Sequence, residues 1–100
     1  MARAVELYAT WNQTVDVAIK PTNANPMSYA QMLGVVNSVA AGDDFVLKVE
    51  GGLPCEANKN GRIKSPGIFD CDYGFSCMGY EIAGAWGAAV ADPSCDVIAL

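Results

Sequence analysis

Two stretches near the start of the chain have the hydrophobic spacing of amphipathic helices. From Arg3 to Lys20, hydrophobic residues recur at intervals of three and four, the period of one helix face, and Pro21 ends the pattern. The residues on that face are Val5, Tyr8, Trp11 and Val15. A second helix is predicted from Tyr29 to Ala41, because Ser28 followed three residues later by Gln31 is the pattern of a capping box.

Three apolar stretches further along the chain are candidate strands. Phe45–Glu50 is mostly apolar, as expected for a strand of a parallel sheet that is covered on both faces. Cys95–Leu100 has the same character, and Ile68–Cys71 is a shorter candidate. The alternation of helices with these strands predicts an α/β fold, in which helices flank a parallel sheet and the crossovers are right-handed.

The segments between these strands differ in regularity. Gly51–Gly67 is rich in glycine, proline, asparagine and lysine, which predicts a loop with one helical turn at Cys55–Lys59. Gly74–Gly79 is bounded by glycines and is expected to form a turn. Tyr80–Ala91 is rich in alanine and glycine, so we expect a helix with a smooth face that packs closely on its neighbours.

The composition is that of a globular protein, with 52% hydrophobic and 17% charged residues. The net charge is −5 and the basic residues are scattered, so nucleic acid is not an expected partner. The longest apolar stretch, Ile82–Ala91, is about ten residues long, whereas a membrane span needs about 20. The first ten residues lack the apolar core of a signal peptide, which favours a cytoplasmic location.

The cysteines have three possible roles. They are Cys55, Cys71, Cys77 and Cys95. Two disulfides in a secreted protein are one interpretation, but the high hydrophobic content and the lack of an export signal disfavour it. A zinc site is disfavoured because no cysteine pair has the usual ligand spacing and the chain has no histidine. Reduced thiols are the preferred interpretation.

Two motifs distinguish this chain from other α/β sequences. Gly51-Gly52-Leu53-Pro54 follows the first strand, and Tyr73–Gly84, which reads YGFSCMGYEIAG, covers the turn into the last helix. The second motif resembles the conserved turn of thiamine-diphosphate-dependent enzymes, which in acetolactate synthases and decarboxylases reads Gly-Ser/Thr-Met/Ile-Gly before an Ala/Gly-rich helix. With Tyr80–Gly84 included, it resembles the trihydroxycyclohexanedione hydrolases, and this resemblance extends over Trp11–Leu100.

The resemblance implies a partial thiamine-diphosphate-binding fold and assigns roles within it. The cofactor is held bent by a side chain beneath its hinge, and that side chain is Met78, which is unbranched and adaptable. The Ser76 carbonyl would hold the pyrimidine amino group and the Met78 N–H a ring nitrogen, while Gly79 would let the chain approach closely. Gly51 and Gly52 would let backbone amides approach the diphosphate. The full set of implied cofactor contacts is Gly51, Gly52, Leu53, Ser76, Cys77, Met78 and Gly79.

Other parts of such a site are expected outside this sequence. In the resembled family, the strand that begins here at Cys95 leads into Gly-Asp-Gly and a later asparagine, which bind Mg²⁺, whereas this chain ends at Leu100. The activating glutamate belongs to another domain and is supplied across a subunit interface, so the resemblance implies a homo-oligomer. It also implies a truncated, inactive piece: a linker and helix over residues 1–26 and the start of the diphosphate-binding domain over residues 27–100. No residue is assigned a catalytic or metal-binding role.

The implied activity is the hydrolysis of a carbon–carbon bond in a cyclic 1,2-diketone, a ring opening in myo-inositol degradation. An acetolactate synthase or a decarboxylase of the same superfamily is the alternative within this class. A non-catalytic interaction module is the alternative from another class. It is suggested by three departures in the loop, where Cys55, Asn58 and Gly61 replace the usual glycine, histidine and tryptophan.

Several side chains near the motifs have two interpretations each. Glu81 is interpreted as a structural or interface group rather than a catalytic acid, because the activating glutamate lies elsewhere in the family. Trp86 is interpreted as a core or interface residue rather than a substrate contact. Lys59, Arg62 and Lys64 are candidates for phosphates or an acidic substrate, but a solvated face is the preferred interpretation.

Overall fold

Helices alternate with short strands along the chain. The computed structural model describes residues 1–40, 42, 44–48, 53–72, 74–75 and 77–100, with the backbone alone at 45–48. Its elements are α1 (Ala2–Ala18), α2 (Tyr29–Val39), β1 (Phe45–Lys48), α3 (Leu53–Asn60), β2 (Phe69–Cys71), α4 (Tyr80–Ala91) and β3 (Val97–Ala99). Over these residues, no helix combines the length and the apolar character needed to cross a membrane.

The strands form a small sheet with β1 in the centre. The order is β2-β1-β3. Both pairings are parallel, with Val46 opposite Phe69 on one side and Ile98 on the other. Parallel strands need crossover connections: α3 connects β1 to its neighbour β2, and α4 connects β2 to β3 on the far side of β1.

Helices α1 and α2 follow the predicted periodicity. In α2 the capping box is confirmed: the Gln31 N–H donates to Ser28 Oγ at 3.2 Å, and the Ser28 N–H donates to Gln31 Oε1 at 2.9 Å. Leu33 and Val15 are each 1% exposed and are the largest fully buried side chains among the described residues. The other residues of the predicted apolar face of α1 are exposed. They are Val5, Tyr8 and Trp11.

Helix α3 replaces part of the predicted loop after β1. The sequence predicted one helical turn at Cys55–Lys59, whereas the helix runs over eight residues, from Leu53 to Asn60. Pro54 is tolerated in the first turn because N–H groups there have no acceptor within the helix. The helix is held by the burial of Ala57, which is 1% exposed, and by the Glu56–Lys59 ion pair at 3.3 Å.

The chain after α3 is held by polar contacts to α1 and α2. Asn37 of α2 binds this backbone on both sides, donating to Asn60 O and accepting from the Arg62 N–H, each at 2.9 Å. The Arg62 guanidinium reaches α1, where it donates to Asp16 Oδ1 at 2.6 Å, to Asn12 O at 3.3 Å and to Asn12 Oδ1. One asparagine and one arginine therefore connect three helices.

Candidate functional site

Both crossover helices begin at the same edge of the sheet. Because β1, β2 and β3 are parallel, their carboxyl ends lie at one edge, and α3 and α4 follow β1 and β2 there. Ligands of open α/β sheets bind at this edge. The predicted contacts that the structure brings to these connections are Leu53, Cys77, Met78 and Gly79. Gly51, Gly52 and Ser76 lie outside the described residues.

The chain enters α4 through a tight turn from Cys77 to Tyr80. The Tyr80 N–H donates to Cys77 O at 3.0 Å, which closes the turn. Gly79 has φ 95° and ψ −5°, values typical of the third residue of a type II turn. Side chains are disfavoured at such a positive φ, so the turn requires glycine for its conformation. The sequence analysis suggested another reason for glycine at position 79, the close approach of a ligand.

Carboxylates hold this turn from both ends. The Cys77 N–H donates to Asp72 Oδ2 at 3.2 Å, and the Gly79 N–H donates to Glu81 Oε2 at 3.0 Å. The Tyr80 hydroxyl donates to Asp70 Oδ2, which connects the first residue of α4 to β2. This hydrogen bond, then burial and the charges of Asp70 and Asp72, raise the pKa of the Tyr80 phenol above its ordinary value, so the phenol remains a donor.

Met78 is the residue between the two carboxylate-bound amides. Its side chain is 81% exposed. Within the part of the chain that the structure describes, no group accepts a hydrogen bond from its backbone N–H. An alanine Cβ built at the neighbouring Gly79 would meet no atom of the described residues within 4 Å, so these residues leave the space beside the turn open. The turn therefore presents one N–H donor and one apolar side chain to that space.

Charge is divided unevenly along the chain. Residues 1–64 carry six acidic and six basic side chains, whereas residues 65–100 carry five acidic and no basic ones. The acidic residues of the second part are Asp70, Asp72, Glu81, Asp92 and Asp96. Among the described residues, no three Cys, Asp or Glu side chains are grouped so that they could hold a metal ion. The turn therefore lies in the part of the chain that carries all of the net negative charge.

A pair of glycine substitutions in this region is predicted to have opposite effects. Gly79→Ala should lower the free energy of unfolding by about 1–2 kcal/mol, because alanine must adopt the left-handed conformation. Gly87→Ala, within α4 and with nothing within 4 Å of its Cβ, should raise it by about 0.5–1 kcal/mol. Urea denaturation of both variants tests this, and equal changes of the same sign would contradict the turn geometry.

The three cations of the predicted loop are engaged by protein groups. Lys59 pairs with Glu56, Lys64 donates to Ala40 O, and Arg62 binds Asn12 and Asp16 of α1. Lys59 also lies near the carboxyl end of α3, away from the helix N-terminus at the site. The preferred interpretation of a purely solvated face is therefore wrong for Arg62, whose guanidinium is a connection between elements.

Other predicted side chains have clear positions. The structural role of Glu81 is confirmed by its contact with the Gly79 N–H. Trp86 is 74% exposed, so it is not a core residue of this chain, and Ile82 and Val90 on the same side of α4 are exposed as well. Cys55 and Cys77 are exposed thiols, and the other two thiols, Cys71 and Cys95, are half-buried.

The residues that sequence reasoning missed are Asp70 and Asp72. They are spaced two apart at the end of a strand, and side chains at that spacing lie on the same face of a sheet. Two carboxylates on one face, shortly before a helix N-terminus, would have been the signal, because such helix ends attract negative charge.

Comparison with known proteins gives one group of relatives. The chain is 34% identical over 74 residues, or 74% of its length, to a 3D-(3,5/4)-trihydroxycyclohexane-1,2-dione hydrolase of Bacillus cereus (strain ZK / E33L). It is equally similar to the hydrolases of the same description from Bacillus thuringiensis (strain Al Hakam) and Bacillus anthracis. The matched stretch spans 12% of the length of each relative. No protein-family model matches the chain, and no solved structure does.

Proposed function

We propose that this chain is part of a thiamine-diphosphate-dependent hydrolase and that the turn from Cys77 to Tyr80 binds the pyrimidine end of the cofactor. The reaction proposed for the whole protein is the hydrolysis of a carbon–carbon bond in a cyclic 1,2-diketone, a ring opening in myo-inositol breakdown. The observation that carries the proposal is the Met78 amide, which has no acceptor among the described residues and lies between two amides that do. The similarity to the Bacillus hydrolases supports the same conclusion.

The residues of the turn fit this role. An exposed methionine offers an unbranched apolar surface on which the bent cofactor can rest, and the adjacent N–H suits a pyrimidine ring nitrogen. When bound, thiamine diphosphate supplies a thiazolium carbon that acts as an electron sink. Contacts of Gly51, Gly52 and Leu53 with the diphosphate and of Ser76 with the amino group stay predictions. So do Mg²⁺ binding in the whole protein, its homo-oligomeric state and its cytoplasmic location.

Binding can be tested on the chain itself by two-dimensional NMR of ¹⁵N-labelled protein. Adding thiamine diphosphate with Mg²⁺ should shift the amide signals of Cys77, Met78 and Gly79, with the largest change at Met78. Met78→Ala should weaken this binding about tenfold, because the side chain would lose its apolar contact with the ligand.

Phe75→Ala provides a matched control, because Phe75 is an apolar side chain of the same segment that is also largely exposed and has no assigned contact. We expect it to change the affinity less than twofold. Inorganic pyrophosphate with Mg²⁺ should leave the three amides unshifted. The absence of any shift with thiamine diphosphate, or equal effects of the two substitutions, would refute the proposed function.

A further inference from the structure

We propose that Asp72 and Glu81 are positioning residues that leave the Met78 amide as the open donor of the turn. Asp72 engages the amide before Met78, and Glu81 engages the amide after it. The inference rests on the proposed function in one respect, that the group accepting a hydrogen bond from the Met78 N–H belongs to the pyrimidine end of thiamine diphosphate. The positioning itself is a property of this chain.

The geometry gives each carboxylate a separate part in fixing the turn. Asp72 directly follows β2, so its bond to Cys77 connects the start of the turn to the sheet. Glu81 lies in the first turn of α4, so its bond to Gly79 connects the end of the turn to the helix. The Tyr80–Asp70 contact adds a link between that helix and that strand. The direction of the Met78 N–H is thus set from both sides.

The same carboxylates determine which ligand chemistry can approach. Asp70, Asp72 and Glu81 each accept a hydrogen bond from a residue of the turn, and residues 65–100 contain no basic side chain. A phosphate brought to Met78 would be repelled, because like charges in contact raise the energy of the complex. A neutral nitrogen heterocycle joined to a cationic ring would be attracted. The turn therefore selects the aromatic part of a ligand and directs any phosphate elsewhere.

The first measurement concerns the free chain. In ¹⁵N NMR of the free chain, the Cys77 and Gly79 amides should exchange with solvent deuterium more slowly than the Met78 amide, because each of the two donates to a carboxylate. The Asp72→Ala variant should lose this protection at Cys77, and the Glu81→Ala variant should lose it at Gly79. If neither amide is protected in the unsubstituted chain, the positioning contacts do not exist in solution and the inference is overturned.

The second measurement adds unphosphorylated thiamine as the probe. Asp72→Ala and Glu81→Ala should each weaken its binding at Met78 about tenfold, the usual scale for losing a hydrogen bond to a charged group. Asp72→Asn and Glu81→Gln keep an acceptor oxygen and should recover much of the affinity. Asp92→Ala is the matched control, because Asp92 accepts from the Ser94 N–H at 3.0 Å beyond the far end of α4.

The possible results separate the two proposals. Amides protected from exchange at Cys77 and Gly79, together with thiamine binding that is unchanged in both alanine variants, would overturn this inference and leave the proposed function standing. An equal loss of affinity in Asp92→Ala would also overturn it, since the effect would then be general. The absence of a thiamine-induced shift in the unsubstituted chain would overturn the proposed function and the ligand part of this inference together.

Discussion

Leu33→Ala is expected to lower the free energy of unfolding by about 2–5 kcal/mol, the usual cost of truncating a fully buried leucine. Leu33 is 1% exposed on α2, and the other buried hydrophobic residues in the described part of the chain are Val15, Ala40 and Ala57. Two of these three are alanines, so few large side chains are available to fill the cavity. Chemical denaturation monitored by circular dichroism would measure the loss.

Val39→Ala is the control on the same helix. Val39 is 69% exposed, so its truncation should change the free energy of unfolding by less than about 0.5 kcal/mol. Similar losses for the two variants would mean that α2 does not bury Leu33 as the structure shows.

Gly34→Ala is expected to lower the free energy of unfolding by about 2–3 kcal/mol, because it overpacks a closely packed contact. A Cβ at this position would overlap the backbone oxygen of Ile19 and lie 3.0 Å from its backbone carbon. Backbone atoms cannot rotate away as a side chain can, so α2 would have to move from the end of α1. Thermal and urea denaturation of the variant would measure the change.

A double substitution identifies the cause of this destabilisation. Ile19→Gly, which removes the Ile19 Cβ that would lie 3.0 Å from the new methyl group, should not restore stability when combined with Gly34→Ala, because the main clash is with the Ile19 carbonyl. Recovery in the double variant would instead place the clash at the side chain. Gly87→Ala again serves as the glycine control, since nothing lies within 4 Å of its Cβ.

Local sequence signals predicted the elements whose ends are set by neighbouring residues. Helix α4 begins and ends at the predicted residues because a run of small helix-forming residues lies between Gly79 and Asp92-Pro93. The α2 start was predictable from Ser28 and Gln31, whose side chains act within one turn. Strands β2 and β3 are shorter than predicted, as they begin at Phe69 and Val97, because strand ends depend on their neighbours in the sheet. The last two residues of the predicted first strand, Val49 and Glu50, lie outside the described residues.

Features that depend on distant residues were not predictable. Helix α3 has a composition typical of loops, and it is stabilised by the burial of Ala57 and by contacts of Asn37 with the chain that follows. The motif around Met78 was visible by resemblance, but its support by Asp72 and Glu81 depends on the path of the turn. The exposed side of α1 could not be foreseen either, because the spacing of apolar residues predicts a face without identifying what covers it.

The attachment of α1 has a consequence for how the native state opens. Among the described residues, α1 contributes one buried side chain, Val15, and Arg62 binds the helix through hydrogen bonds to Asn12 and an ion pair with the largely exposed carboxylate of Asp16. Exposed ion pairs contribute less than about 1 kcal/mol. We therefore expect α1 to be released more readily than the strands of the sheet separate, as its own unit of local unfolding. Hydrogen exchange should then detect a partly open form in which the sheet and the Met78 turn stay intact.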